Sequence, residues 1–267
     1  MFNKTWLFVP ATERFLSRRT DGLADALIFD LEDSIRGEEK CAARERLCQA
    51  LEREHSSEIY VRINTGAAGE EDLRCLSTCC YDGLILPKVE GQETVQALFD
   101  RADDKKIIAL VESPSGIINL EQIAALSFLY GIAFGGEDYC RELGVETNEL
   151  AMQYARGRLV LLARYYGKYC LDTISMEYSN KELFLQKFED SIAMGFHSRL
   201  LIHPSQVQAI RAWEEASMKI EDMRRIVRLF EQSGRGLVMI DGRWYEKPHI
   251  ERLKKLILQA EIHNAGQ

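Results

Sequence analysis

Short runs of Val, Ile, Leu and Phe recur along the whole chain. They read TWLFVP, ALIFDLE, IYVRIN, GLILPKV, KIIALVES, FLYGIAFGG, YCLDTIS and SRLLIHP. Near-continuous apolar runs of this length are typical of strands buried on both faces of a parallel sheet. Between them, segments such as EEKCAARERLCQALERE, IINLEQIAALS and ELAMQYARGRLVLLARYYG space their apolar residues as amphipathic helices do. The pattern therefore predicts eight strands that alternate with helices.

Eight alternating strands favour a closed α/β barrel, the (β/α)8 TIM barrel. An open doubly wound sheet often has a glycine-rich phosphate fingerprint after its first strand, whereas here that strand continues as VPATERF. A chain of 267 residues with 46% hydrophobic content suffices for one such domain. The tail after the eighth run contains a helical stretch and then GRGLVMIDGRWYEKPHIERLKKLILQA. We expect a barrel over residues 1–215 and a C-terminal helical and hairpin lid extension of the same domain over 216–267.

Charge and cysteine content exclude several classes of function. The net charge is −8 without a long block of like charge, which disfavours nucleic-acid and membrane partners. The N-terminal apolar run is too short for the core of a signal peptide, and no window approaches the length of a membrane span. An odd number of cysteines, seven, indicates reduced thiols. We expect a cytoplasmic protein.

Polar residues follow the apolar runs, where the active sites of TIM barrels lie. They are Glu32, Asp33, Arg62, Asn64, Lys88, Glu112, Ser113, Glu137, Asp138 and His203. Glu112 and Asp138 follow neighbouring strands, so their carboxylates can converge. Two carboxylates with waters and a bidentate substrate suit Mg²⁺. The alternative is that both acids are helix N-caps or solvated loop residues.

Arg62 and the pair Gly135 and Gly136 complete the candidate site. Arg62 ends an otherwise apolar run, and its planar fork matches a carboxylate or a developing enolate. A structural salt bridge to Glu32 or Asp33 is the alternative. The two glycines remove side chains beside the expected metal, so a keto acid can lie against bare backbone and receive its N–H groups. A tight turn between strand and helix is a compatible reading.

The order of several motifs resembles one family. LFVPATERF, ALIFDLEDSI, VRIN, LPKVEG, VESPSG, GIAFGGEDYCRELG, ARGRLVLLAR, GFHSRLLIHPSQV and DGRWYEKPHI occur in the order found in the β-subunit of citrate lyase and its relatives. The chain resembles the acyl-CoA lyase branch of the HpcH/HpaI aldolase and citrate lyase superfamily over nearly its whole length.

The resemblance implies a TIM barrel that holds Mg²⁺ through Glu112 and Asp138. Substrate binding is implied for Pro10, Arg62, Lys88, Gly135, Gly136 and Glu137. Catalytic roles are implied for Arg62, Glu32 and Glu246. The expected reaction is carbon-carbon cleavage of a citramalyl-, malyl- or citryl-CoA-like thioester to acetyl-CoA and a 2-keto acid by retro-Claisen chemistry, in a homotrimer or hexamer.

Departures from the family pattern lie mostly in loops. Relatives have an aspartate at the lid position of Glu246, and the longer side chain here changes the proton path. Pro114 follows the strand-five motif, and GFHSR replaces a glycine and a lysine with Ser198 and Arg199. For the CoA phosphates the chain offers Arg14, Lys40, Arg44, Lys88 and Arg156.

Two other functions remain open. A pyruvate-type class II aldolase of the same superfamily would need a histidine soon after the second strand, where this chain has Asp33. A catalytically reduced subunit that binds keto acids or CoA esters within a complex is the second alternative, and Glu246 and the altered loops are the features that favour it.

Overall fold

The structure of the protein is a computed structural model that describes residues 5–16, 22–102, 105–216 and 220–265. The chain divides into two compact units, one that ends at Gln208 and one that begins at Ala209. The predicted boundary, between residues 215 and 216, lies a few residues further along the chain.

The first unit is a closed barrel of eight parallel strands in sequence order, and it confirms the predicted (β/α)8 fold. The strands coincide with the eight apolar runs. They are β1 Trp6–Pro10, β2 Ala26–Asp30, β3 Glu58–Arg62, β4 Gly83–Leu86, β5 Lys106–Val111, β6 Gly131–Phe134, β7 Tyr169–Asp172 and β8 Ser198–Leu201. The barrel closes through pairing of β1 with β8.

Alternate strand residues fill the barrel interior, as in other TIM barrels. The cluster contains Trp6, Ala26, Ile28, Tyr60, Ile85, Ile108, Leu110, Ala133, Leu171 and Leu200. Trp6 and Tyr60 are fully buried, with ring centroids 4.7 Å apart. The barrel therefore has a packed core, and chemistry is confined to its ends.

Helices connect the strands. They are α1 Glu13–Leu16, α2 Lys40–Leu51, α3 Gly66–Leu76, α4 Gln92–Phe99, α5 Pro114–Ile118, α6 Leu120–Ala124, α7 Gly136–Leu143, α8 Glu149–Tyr165, α9 Lys181–Met194 and α10 Pro204–Ala216. The helical spacing of IINLEQIAALS corresponds to two short helices, α5 and α6, which meet at Asn119. The Asn119 side chain donates to the carbonyl of Glu90, 2.8 Å away, and so ties the junction to a neighbouring loop.

The second unit contains the helices and the hairpin predicted for the tail. After the end of α10 it comprises α11 Ile220–Ser233, β9 Leu237–Ile240, β10 Arg243–Glu246 and α12 Lys247–Ala265. Its own small core includes Ile226, Val227, Ile240 and Ile250. Among the described helices of the chain, none combines the length and the hydropathy that crossing a bilayer requires.

Candidate active site

A cavity of about 410 Å³ opens at the carboxyl ends of the barrel strands. Eight residues expected in the site line it: Pro10, Asp33, Arg62, Glu112, Gly135, Gly136, Glu137 and Asp138. Two other expected residues, Glu32 and Lys88, contact Arg62 and Glu112 from beside the cavity. The parallel strands thus bring together side chains that are more than a hundred residues apart in sequence.

The fork of Arg62 is held by Asp30, a residue that sequence reasoning missed. Arg62 Nε and Nη2 each donate to one Asp30 oxygen at 2.7 Å. The two residues are register partners at the ends of β3 and β2. Asp30 also accepts the backbone N–H groups of Glu32 and Ser34, at 2.9 and 3.0 Å. Both Nε and Nη2 are therefore occupied, and Nη1 lies 3.2 Å from Glu32 Oε2 and 3.6 Å from Asp33 Oδ2. The salt bridges to Glu32 and Asp33, given above as the alternative role of Arg62, are thus present.

Electrostatics keep the pair charged. Burial acts to raise the pKa of Asp30, but the hydrogen bonds and charge of Arg62 outweigh it and hold that pKa below its usual value. Burial likewise acts to lower the pKa of Arg62, and Asp30 reverses this effect, so that pKa is raised. A permanently charged guanidinium is thus fixed at the cavity wall, with 12% of its side chain exposed.

Glu32 lies between two cations. Its Oε1 is 2.5 Å from Lys88 Nζ, and its Oε2 is 3.2 Å from Arg62 Nη1. Oε2 is buried and has no hydrogen-bond partner in the described part of the chain. Burial raises the pKa of Glu32, although Arg62 and Lys88 oppose the shift. The structure thus joins Lys88 to Glu32 rather than leaving its ammonium group free for a substrate.

Lys88 also fixes Glu112. Its φ of 54° places it in the left-handed region, unusual for a residue with a side chain. In this conformation its backbone N–H donates to Glu112 Oε1 at 2.8 Å. Burial raises the pKa of Glu112 to about 8, and the charges of Glu32 and Asp138 add to the shift. The three carboxyl groups therefore lie close together, and a bound cation would reduce the repulsion between them.

Gly135 makes room for Glu112. A Cβ at Gly135 would lie 2.5 Å from Glu112 Cβ and 2.6 Å from its Oε2. A Cβ at Gly136 would meet Met152 Sδ at 2.4 Å and Thr173 Oγ1 at 2.9 Å. The glycines are needed because two walls of the cavity approach the backbone closely.

The expectation that Gly135 and Gly136 offer their N–H groups to a substrate is wrong. Gly135 N donates to the carbonyl of Val111 at 3.0 Å, and Gly136 N donates to Thr173 Oγ1 at 2.8 Å. Helix α7 begins at Gly136, so the first-turn N–H groups of Glu137 and Asp138 lack intrahelical acceptors. These are the donors that the helix end presents to an anion.

The two side chains at the start of α7 have different partners. Asp138, with 18% of its side chain exposed, is 2.5 Å from Arg141 Nη1. Glu137 accepts a hydrogen bond from Thr147 Oγ1 at 2.7 Å. In the described residues no group of three or more His, Cys, Asp or Glu side chains forms a full metal cage. A pair of carboxylates completed by water and substrate is the arrangement that fits Mg²⁺.

Most of the basic residues considered for CoA have structural partners. Arg44 Nε lies 2.6 Å from Asp72, and Arg156 Nη2 lies 2.5 Å from Asp172. Arg199 is buried and donates to the carbonyls of Lys187 and Ile174. Lys40 donates to Asn64, and Arg14 lies over the ring of Phe15. These contacts connect the barrel wall to its helices and loops.

Glu246 is the last residue of β10 in the second unit. It pairs with Leu237, and Trp244 pairs with Met239, so the four side chains share one face of the hairpin. The three apolar members of this face are more than half exposed. The opposite face packs Val238, Ile240 and Tyr245 into the core of the unit. The hairpin thus presents a carboxylate within an exposed apolar surface.

Comparison with known proteins places this site in a family. The sequence profile of the HpcH/HpaI aldolase/citrate lyase family matches residues 4–204. The chain is 30% identical over 266 residues to (3S)-malyl-CoA thioesterase of Cereibacter sphaeroides, covering 96% of this chain and 93% of the relative. It is 31% identical to the citrate lyase subunit beta of Haemophilus influenzae, covering 97% of each chain.

A solved structure agrees with the fold over the whole chain. CitE from Mycobacterium tuberculosis, in complex with magnesium, acetoacetate and coenzyme A, superposes with a TM-score of 0.81 at 30% identity, covering 97% of this chain and 98% of that one. The profile match and these full-length relatives agree with the eight-stranded barrel. The chain belongs to the HpcH/HpaI aldolase/citrate lyase family.

Proposed function

We propose that the protein is a Mg²⁺-dependent carbon-carbon lyase that cleaves a 3-hydroxyacyl-CoA to acetyl-CoA and a 2-keto acid. The observation that carries this proposal is the pair of carboxylates, Glu112 and Asp138, that line one cavity at the strand ends, with Glu112 buried. The M. tuberculosis CitE complexes with magnesium, acetoacetate and coenzyme A and with magnesium and pyruvate support the metal, the CoA half and the 2-keto acid half of the substrate.

Glu112 and Asp138 are the residues that would hold the ion. Glu112 is oriented by the Lys88 N–H through one oxygen, while its other oxygen faces the space kept free at Gly135. The chemistry supplied by Mg²⁺ in such a site is a lowered pKa of the substrate hydroxyl and stabilisation of the oxygen as it becomes a keto group.

The keto-acid half of the substrate would be oriented by the start of α7. The N–H groups of Glu137 and Asp138 point from a helix N-terminus that lines the cavity. Such donors, together with the helix dipole, favour a carboxylate. Pro10, at the end of β1, lines the same cavity and limits its shape. The anion would thus be held by backbone rather than by a lysine.

Arg62 would stabilise the enolate. When the carbon-carbon bond breaks, the substrate hydroxyl gives its proton to water, and the electron pair of the broken bond passes to the acetyl thioester as an enolate. Asp30 holds the guanidinium in one orientation before the reaction, so little reorganisation is needed when charge develops. Glu32 contacts Nη1 and moderates the positive charge that the enolate meets.

Glu246 would deliver the final proton to the methyl carbon of the acetyl group. Leu237, Met239 and Trp244 surround it with apolar surface. This face of the hairpin would cover a loaded site and exclude water from the proton transfer. We propose that the hairpin acts as the lid over the barrel site of a neighbouring subunit.

A homo-oligomer, trimer or hexamer, is part of the proposal. Four apolar side chains of α8, namely Leu150, Tyr154, Leu161 and Tyr165, are between 68% and 81% exposed. Exposed apolar stripes of this kind often mark contacts between subunits. Contact between copies of the chain would cover this stripe.

The test is a cleavage assay with purified protein and Mg²⁺ on (S)-citramalyl-CoA, malyl-CoA and citryl-CoA, with EDTA as the control. Mass spectrometry quantifies acetyl-CoA, free CoA and the keto acid. Metal-dependent release of acetyl-CoA with an equal amount of keto acid supports the lyase. Release of free CoA and an intact hydroxy acid would instead indicate hydrolysis of the thioester and contradict carbon-carbon cleavage. Binding without any product would point to the catalytically reduced subunit.

A further inference from the structure

A second cavity, of about 710 Å³, lies at the other end of the barrel. It is formed where strands begin: Lys106 is the first residue of β5, Tyr169 is the first of β7, and Tyr130 and His197 directly precede β6 and β8. Because all eight strands are parallel, these residues are separated from Glu112 by the packed barrel core. The proposed lyase chemistry uses none of them.

The lining of this cavity is strongly basic. It contains Lys105, Lys106, Arg164 and Lys168, and no Asp or Glu is among its described lining residues. The whole chain carries a net charge of −8, so the cavity is a local exception to its composition. Concave surfaces lined by one sign of charge concentrate the field and attract counter-ions.

The cations in this lining are mostly bound to neutral groups. Lys168 Nζ donates to three backbone carbonyls at 2.5–3.1 Å. Lys105 Nζ donates to a fourth carbonyl, that of Tyr81, at 2.8 Å. Within the described residues, Lys106 alone among the four lies near a carboxylate, that of Glu58 at 3.4 Å. Carbonyl oxygens satisfy N–H donors without cancelling their charge, so the cavity keeps its positive potential.

A conflict between two donors marks one point of the wall. His197 Nδ1 is 2.9 Å from the backbone N of Cys170, which can only donate. His197 Nε2 is 2.9 Å from Arg164 Nη1, which can also only donate. Burial, with the charge of Arg164 adding to it, lowers the pKa of His197 to about 4, so the ring is neutral near pH 7 and has one acceptor nitrogen.

One nitrogen cannot satisfy two donors. The Cys170 N–H is fixed by the backbone and occupies Nδ1, so the proton resides on Nε2 and faces the guanidinium. Arg164 Nε and Nη2 both donate to the carbonyl of Gly195, and because the guanidinium is planar these contacts also fix Nη1 beside His197 Nε2. An anionic oxygen beside these groups accepts from both Nη1 and Nε2–H and removes the conflict.

Flat aromatic surfaces complete the cavity. The rings of Tyr130 and Tyr169 are stacked with centroids 5.9 Å apart, and the His197 ring stacks on Tyr169 at 4.4 Å. Across the lining, Phe99 and Phe128 form a second stack at 3.9 Å. Tyr169 is covered by rings on both faces and Lys106 lies over the ring of Tyr130, so the rings that a base can lie against are His197, Phe99 and Phe128. Aromatic faces next to basic groups suit a planar ring that carries phosphate.

We propose that this cavity is a nucleotide-binding site, in which phosphate oxygens accept from Arg164 Nη1 and His197 Nε2 and the base lies against the aromatic rings. The volume is within the range of small-molecule sites, roughly 300–1000 Å³. Lys105 and Lys106 add charge at the mouth, where both are partly exposed. The site is separate from the lyase cavity and stands whether or not the lyase proposal holds.

The test uses ADP as the probe on the full chain. Calorimetry measures its Kd for the wild type, Arg164→Ala and Lys106→Gln, with Arg74→Ala as a matched control that removes an exposed arginine paired with Glu71. We expect at least tenfold weaker binding for Arg164→Ala, a smaller loss for Lys106→Gln and none for the control. Melting temperatures establish whether each variant is folded. If Arg164→Ala does not fold, the Kd of Lys106→Gln still tests the proposal.

CoA itself contains an ADP group, so a lyase cavity that binds CoA also offers a place for ADP. The place where ADP binds must therefore be determined. Hydrogen exchange read by mass spectrometry should show ADP protecting residues 163–170 and 195–198. Protection confined to residues 135–142, or a Kd unchanged in Arg164→Ala, would overturn the proposal, as would absence of ADP binding to the wild type. Pyrophosphate that binds as tightly as ADP would refute the nucleotide assignment, and adenosine that does so would refute the anion assignment. Cleavage of CoA thioesters by Arg164→Ala should match the wild type.

Discussion

Replacing Gly135 with alanine tests the geometry of the site with one methyl group. Gly135 has φ −102° and ψ 82°, so the backbone conformation itself does not require glycine. The added Cβ would lie 2.5 Å from Glu112 Cβ and 2.6 Å from its Oε2. Carbon atoms pack at about 3.5–4 Å, so these contacts must open by about 1 Å. The side chain that has to move is the proposed metal ligand.

The expected loss of activity is large for the addition of a single methyl group. A misplacement of about 1 Å in a catalytic group costs on the order of 100-fold in rate. We therefore expect kcat/KM of Gly135→Ala to fall about 100-fold, which corresponds to about 2.7 kcal/mol of transition-state stabilisation. The Mg²⁺-induced rise in melting temperature should shrink as well, because the same movement weakens the metal site.

Gly37→Ala is the matched control. Gly37 is exposed and lies outside the cavity lining, and nothing lies within 4 Å of its added Cβ. Alanine there should leave turnover unchanged and stabilise the protein by about 0.4–1 kcal/mol. Turnover by steady-state kinetics and unfolding by circular dichroism measure both variants. If Gly135→Ala is folded and keeps the kcat/KM of the wild type, the proposed role of Glu112 is wrong.

Three further predictions follow from the same contacts. Arg62→Lys should lower kcat/KM at least tenfold, because lysine cannot keep the bidentate contact with Asp30. Unchanged kinetics would show that the planar guanidinium group is not required. Glu246→Gln should abolish exchange of deuterium into the acetyl methyl group, and Glu246→Asp should retain it; exchange that persists in the glutamine variant would exclude this residue as the proton donor. Without metal, stability should fall as pH rises from about 4.5 to about 8, because folded Glu112 keeps a proton that the unfolded chain has lost. In EDTA, the melting temperature of Glu112→Gln should fall less steeply with rising pH than that of the wild type. Equal slopes for the two proteins would contradict the raised pKa of Glu112.

The barrel was predictable because its strands are buried on both faces. Each strand is a local apolar run, so its signal does not depend on distant residues. Helical structure was also predictable around IINLEQIAALS, but the break at Asn119 was not, because its side chain donates to the carbonyl of Glu90 and no local pattern shows such a contact.

Part of the candidate site was predictable, namely the residues whose positions follow from the order of the parallel strands. Glu112, Asp138 and Arg62 line one cavity because parallel strands end at the same edge. Asp30 was missed because its role depends on its register with Arg62. The positions of the glycine N–H groups were also mistaken, since their acceptors, Val111 and Thr173, are tertiary neighbours.

The central claim, a Mg²⁺-dependent reaction at Glu112 and Asp138, is tested most directly by titrating Mg²⁺ into the protein by calorimetry and measuring turnover in the same samples. The wild type, Glu112→Gln and Asp138→Asn are compared in the presence of a 2-keto acid. We expect saturable binding and metal-dependent cleavage of a CoA thioester in the wild type, and loss of both in each folded variant. Variants that bind Mg²⁺ and turn over as the wild type does would contradict this assignment.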